Sequence, residues 1–222
     1  MTDTKKPRRN KPRKYSEGEI AIAFNLLKLD ELSSTLHNWL NTHTTLDIFE
    51  EYLFKKILKD AKINIVSWNE EELKMYFISY IIDLSNLRSS KNIRSFFERT
   101  IDAEVEGIYL KTKTDFMIAK GLLDVIQNPY FHFQEYKKDK DPNGDPLGQL
   151  LEAFLIAQAI NKNDKPMYGA YIIGRLWYFV TMEGKEYCVS KAFDSTEEVS
   201  LMQIIAVLRH FKIILETKLM VD

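Results

Sequence analysis

Three residues near the middle of the chain have types and spacing suited to chemistry. Glu135 and Lys137 close the aromatic run in "YFHFQEYKKDKD", residues 130–141. Two residues apart on a strand, they point to the same face. Asp115 lies in "KTKTDFMIA", beside Phe116, Met117 and Ile118. A carboxylate among such neighbours is costly to bury unless it is paired or bound to a cation. Acid-x-Lys is a poor motif by itself: composition predicts about three by chance, and the chain holds six. Only Glu135-Tyr136-Lys137 ends an aromatic strand, and only it follows a strand that carries a lone aspartate. Each residue also has a plainer reading. Asp115 would cap a turn, and Glu135 with Lys137 would be a solvated edge pair of small energetic weight.

The elements that position these residues follow from periodicity and turn chemistry. Apolar residues at spacings of three and four in "EIAIAFNLL" and "LDIFEEYLFKKIL" predict helices between Ser16 and about Leu58. A further helix is expected in "SWNEEELKMYFISYIIDLSNL", capped by Ser67 or Asn69, with Leu73, Phe77, Ile81 and Leu84 as its buried stripe. "IRSFFERT" reads as one more short helical turn. "EVEGIYLKTKTDFMIAKG" reads as two strands around a turn near Leu110 to Lys113, and "PYFHFQEYKK" as a third strand. "DKDPNGDP" is turn chemistry. Asp145-Pro146 then supplies an N-cap and a first-turn proline for the helix "LGQLLEAFLIAQAIN". Two or three more strands follow, including a turn at Glu183-Gly184. A final helix begins after Ser195 or Thr196, either of which would cap it. The expected architecture is α/β, with a mixed central β-sheet flanked by helices. Its expected parts are a disordered basic tail over 1–15, an N-terminal helical region over 16–66 and the α/β domain over 67–222.

This element order, with an aspartate on one strand, Glu-x-Lys on the next and a helix after it, resembles the PD-(D/E)XK nuclease superfamily, which shares the restriction-endonuclease fold. The similarity covers roughly Asn69 to Lys212. The resemblance implies that Asp115 and Glu135 chelate Mg²⁺, with Mn²⁺ as a substitute. It also implies that the Tyr136 backbone carbonyl is a further ligand and that Lys137 orients or polarises the attacking water. Gln149 matches an active-site glutamine in the first turn of the following helix; the tyrosine that some subfamilies carry four residues later is Ala153 here. "NEEELK" resembles the helical segment that opens the fold in other subfamilies, and it aims Glu70 at the metal. The family's proline before the aspartate is replaced by Thr114. These types suit the reaction: Mg²⁺ is a hard cation that takes carboxylates and keeps several waters. It activates phosphoryl oxygen and water, and a lysine stabilises the growing negative charge.

Composition bounds the partners. The 222 residues include 45% hydrophobic and 28% charged residues and one cysteine, Cys188. An internal disulfide framework is thereby excluded, and a reducing cytoplasm fits. No stretch approaches the roughly 20 apolar residues of a membrane span. His37, His43, His132 and His210 lack zinc spacing. Residues 1–14 carry seven basic residues against one acidic, while the rest of the chain is net −7. That polycationic head is either a solvated tail or a nucleic-acid contact. The expected function is metal-dependent hydrolysis of phosphodiesters in nucleic acid, DNA before RNA, leaving a 5′-phosphate and a 3′-hydroxyl. A homodimer and a cytoplasmic location are further expectations. The rival is a catalytically inactive nucleic-acid-binding or assembly protein that keeps the fold, and the acidic body favours it.

Overall fold

The computed structural model describes residues 15–90, 93–137 and 144–220. The basic head (1–14) and most of the expected turn "DKDPNGDP" lie outside the described residues. The chain is α/β: a nine-stranded mixed sheet with helices on both faces. In chain order come α1 (Glu17–Phe24), β1 (Leu27–Lys28), α2 (Ser34–Leu40), α3 (Ile48–Asn64) and α4 (Glu70–Leu73). A π-helical turn (Lys74–Ile78) runs straight on into α5 (Ser79–Leu84). Then follow β2 (Ser89–Ser90), β3 (Ile93–Val105), β4 (Ile108–Leu122), β5 (Val125–Lys137), α6 (Pro146–Asn161), β6 (Met167–Ile173), β7 (Leu176–Glu183), β8 (Glu186–Val189), β9 (Phe193–Asp194) and α7 (Glu198–Ile214). A closing π-helical turn covers Leu215–Leu219.

The sheet order is β1-β8-β7-β6-β5-β4-β3-β2, with β9 on β7. β5 pairs parallel with β6, and α6 is their crossover. β1 pairs parallel with β8. All other pairs are antiparallel. Two cores flank the sheet. One gathers side chains of α2 to α5 and α7 around Trp39, Phe116, Tyr136, Trp177 and Phe211. The other lies beneath α6 and α1, around Phe24, Met117, Phe133 and Phe154. Residues 16–66 feed both: Ile20 and Phe24 enter the α6 core, and Leu36, Trp39 and Phe54 enter the other.

Local chemistry explains the helix that covers the sheet. Asp145 caps α6, its Oδ1 accepting from Leu147 N (3.0 Å) and Gly148 N (3.1 Å). Its Oδ2 accepts from Glu17 N at 2.6 Å, so one carboxylate ties the starts of α6 and α1 together. Gly148 makes the approach possible, because a Cβ there would collide with the Tyr15 carbonyl oxygen. Gly169 on β6 does the same beneath α6, against Phe133 O and the Phe154 ring. Asn69 is the cap that starts α4, in a reciprocal box with Glu72, and Leu73, Phe77, Ile81 and Leu84 are all buried.

Three expectations are corrected. "IRSFFERT" is part of β3, a 13-residue strand. The hairpin turn that follows it is at Glu106 (φ +50°) and Gly107 (φ +81°), a left-handed pair suited to a tight hairpin; residues 110–113 run through β4 as strand. Both misreadings have one cause. Glu98 adopts φ +54° in mid-strand, and the pair Glu98–Asp115 drops out of the ladder between Phe97–Phe116 and Arg99–Thr114. Across this break the buried face changes parity. Phe96 and Ile101 on β3, and Met117 and Leu110 on β4, enter the same core although each pair is an odd number of residues apart. The third correction concerns α7. Its N-cap is Glu197 without a side-chain bond, while Asp194 accepts from Thr196 N and Oγ1.

Candidate active site

Asp115 and Glu135 come together where β4 and β5 separate. The last ladder pair on this side is Phe116–Gln134. Beyond it, Tyr136 N donates to the Asp115 side chain, to Oδ2 at 2.8 Å. The Tyr136 ring enters the opposite core, where its hydroxyl donates to Gln134 Oε1. Only the backbone of Tyr136 therefore reaches toward the site. Glu135 is 1% exposed, and its Oε1 is buried with no hydrogen-bond partner. Burial first, then the adjacent Asp115 carboxyl, push the Glu135 pKa well up, while Lys137 acts the other way. Burial also raises the Asp115 pKa, opposed by its bonds to Lys74 and to Tyr136 N. The two carboxyls thus sit together largely out of solvent, where a proton or a cation is favoured.

The other expected residues surround them. Glu70, Asp115, Glu135, Lys137 and Gln149 all line one cavity of about 470 Å³. Glu70 opens α4, with Oε2 3.5 Å from Lys137 Nζ and Oε1 3.1 Å from Lys74 Nζ. Gln149 sits in the first turn of α6, and its Oε1 is also buried without a partner. Two unsatisfied buried acceptors in one cavity are unusual, since buried polar atoms are nearly always paired.

Three residues outside the expected site set belong here. Lys74 Nζ lies 2.9 Å from Asp115 Oδ1, 2.9 Å from Glu98 Oε1 and 3.6 Å from Glu71 Oε1. Burial works against its charge, but the hydrogen bonds to Asp115, Glu98 and Glu70 outweigh this and raise its pKa. Glu98 is held between Lys113 and Lys74, which lower its pKa to about 2. Glu152, one turn after Gln149 on α6, is 3% exposed and lines the same cavity. Its Oε1 accepts from Lys111 N at 3.2 Å, and burial lifts its pKa to about 7. The signal for Lys74 was present, four residues after Glu70. Nothing local marks Glu98, whose carboxylate is aimed by its backbone twist.

The remaining candidates have structural places. His132 is fully buried against Trp39, Phe116 and Phe211, and burial alone drives its pKa down to about 3. Cys188 is buried on β8. Trp177 and Phe179 are core, and Arg175 pairs with Asp194 at 3.1 Å. No family model and no curated protein matches the chain.

The donor set fits a hard divalent ion. Two adjacent carboxyls, one with an unpartnered buried oxygen, favour a cation. Among the described residues no three His, Cys, Asp or Glu side chains form a ready-made cage. Mg²⁺ needs none, since it keeps several waters. No helix of the described residues is long and apolar enough to cross a membrane.

Proposed function

We propose that the protein is a Mg²⁺-dependent nuclease, built on a restriction-endonuclease-like core, that hydrolyses phosphodiester bonds of nucleic acid, DNA before RNA. One observation carries the reading: Asp115 and Glu135 meet on adjacent strands at one cavity, with an orphaned, buried Glu135 Oε1 and Lys137 beside them. Asp115, Glu135 and the Tyr136 carbonyl would hold Mg²⁺ or Mn²⁺, which would supply a Lewis acid for the phosphoryl oxygen and the attacking water. Lys137, 18% exposed at its side chain, stabilises charge growing on the phosphate. Gln149 Oε1 accepts a hydrogen bond from the attacking water and orients it. Glu70 fixes the Lys137 ammonium. A second cavity of about 530 Å³ shares Lys74, Glu98 and Asp115 and is walled by Met75, Ile78, Ile82 and Phe97. It offers apolar room for a sugar or base beside the phosphate. A cytoplasmic location belongs to the same proposal.

The test is cleavage of labelled single- and double-stranded DNA and RNA with Mg²⁺ or Mn²⁺, against EDTA. Metal-dependent products that vanish in Glu135→Gln are expected. A second reading, a binding protein without catalysis, is favoured by Lys74, whose ammonium already neutralises Asp115. Salt-sensitive binding of nucleic acid with no cleavage under either metal would select it.

A further inference from the structure

Lys74 is built into the site at a structural cost. Its ammonium is 15% exposed at the side chain and sits within 3.1 Å of three carboxylates, those of Asp115, Glu98 and Glu70. Two backbone irregularities put it there. The π-helical turn starts at Lys74, where Ser79 N reaches back to Lys74 O across a widened turn. Such turns are rare and concentrate at functional sites. Facing it, Glu98 is held at φ +54°, a strained conformation for a residue with a Cβ. Asp115 and Glu98 face each other across the gap in the β3–β4 ladder, and Lys74 bridges them. An exposed ion pair would not need two such distortions.

We propose that Lys74 is the resident cation of the site, which competes with a divalent ion for Asp115 and so sets the affinity for that ion. The inference rests on the metal reading of Asp115 and Glu135. Without an ion, Lys74 neutralises Asp115 and keeps the site assembled. When an ion takes Asp115, the ammonium gives up Oδ1 and stays held by Glu98, Glu70 and Glu71, all within 3.6 Å of its present position. Because the anchors remain, the lysine moves by a fraction of its length and stays beside the reacting phosphate. The protein therefore binds divalent ions more weakly than its carboxylates alone would, and exchanges them readily.

The experiment is direct titration of Mn²⁺, followed by its electron paramagnetic resonance signal, into wild type and three variants. Lys74→Met removes the competitor. Lys74→Gln removes its charge but keeps a hydrogen-bond donor for Asp115 and Glu98, which protects the fold. Lys113→Met removes an equal charge from Glu98 without touching Asp115. Competition predicts that both Lys74 variants bind Mn²⁺ at least about tenfold more tightly, the scale of one charge-assisted hydrogen bond. Lys113→Met should gain about threefold or less, as a screened surface charge does. Equal gains in all three, or none at Lys74, overturn the role of Lys74 and leave the metal reading standing. No binding by any protein overturns both. A wild-type structure with Mn²⁺ decides independently of the variants: Lys74 Nζ withdrawn from Asp115 Oδ1 is expected, and an unbroken 2.9 Å contact with the ion in place refutes the inference.

Discussion

Replacing Glu152 with Gln isolates one buried charge. The carboxyl is 3% exposed, and its Oε1 accepts a hydrogen bond from Lys111 N. Burial moves its pKa from an ordinary 4.5 to about 7. A carboxyl whose pKa is raised in the folded state loses its proton first in the unfolded chain. Its contribution to stability is therefore complete below about pH 4.5 and is lost as the pH rises through 7. A shift of this size is worth about 3 kcal/mol at 1.36 kcal/mol per unit, of which about 2–2.5 kcal/mol falls between pH 5 and pH 8. Gln keeps an oxygen to accept from Lys111 N and carries no charge, so it escapes this loss. Urea unfolding of both proteins at pH 5, 6, 7 and 8 gives the difference directly, because titrations of Asp115, Glu135 and His132 are common to both. Wild type should fall behind Glu152→Gln steadily as pH rises, by about 2 kcal/mol across the range. A difference that stays constant with pH would refute the assignment of a buried, neutral Glu152.

Lys137→Ala should lower kcat by about a hundredfold or more while Mn²⁺ binding is retained, since its proposed action is on the transition state; single-turnover cleavage beside a metal titration checks it, and unchanged turnover rejects the role. Gln149→Ala should reduce cleavage and leave the melting temperature within a few degrees, because it deletes a buried oxygen that has no partner in the fold. Deleting residues 1–14 should weaken nucleic-acid binding and flatten its salt dependence by several units, at about −0.9 per phosphate contact on duplex DNA. Binding across a salt series measures this, and identical slopes would make the head a mere solvated extension.

What the sequence disclosed depended on how local the physics was. The cap and first turn of α6 were legible because Asp145-Pro146 acts on neighbours one to three residues away. Asp115 and Glu135 were legible as strand-borne carboxylates because a polar residue in an apolar run demands a partner. Glu98 was not, since its role comes from a twist in β3 that also inverted the alternation used to find strands. Lys74 was legible as far as the helical face it shares with Glu70, but its partners Glu98 and Asp115 come from the sheet. Glu152 looked like an ordinary polar position on α6, and only the packing of that helix against the sheet turned it inward. The two-residue β1 carries no periodic signal; its pairing with β8 is a tertiary event.

That pairing has a consequence for the order of events during synthesis. Leu27 meets Glu186 across about 160 residues of chain, a delay of roughly ten to thirty seconds at bacterial or eukaryotic translation rates. Docking of α1 on α6 waits almost as long, since Glu17 and Asp145 are 128 residues apart. Ile20 and Phe24, fully sheltered in the finished molecule, therefore leave the ribosome well before α6 and lack its cover until the cap of α6 has been made. Until α6 emerges, the nascent chain carries α1 without its α6 partner, an interval in which a chaperone or a neighbouring nascent chain competes with α6 for the same face.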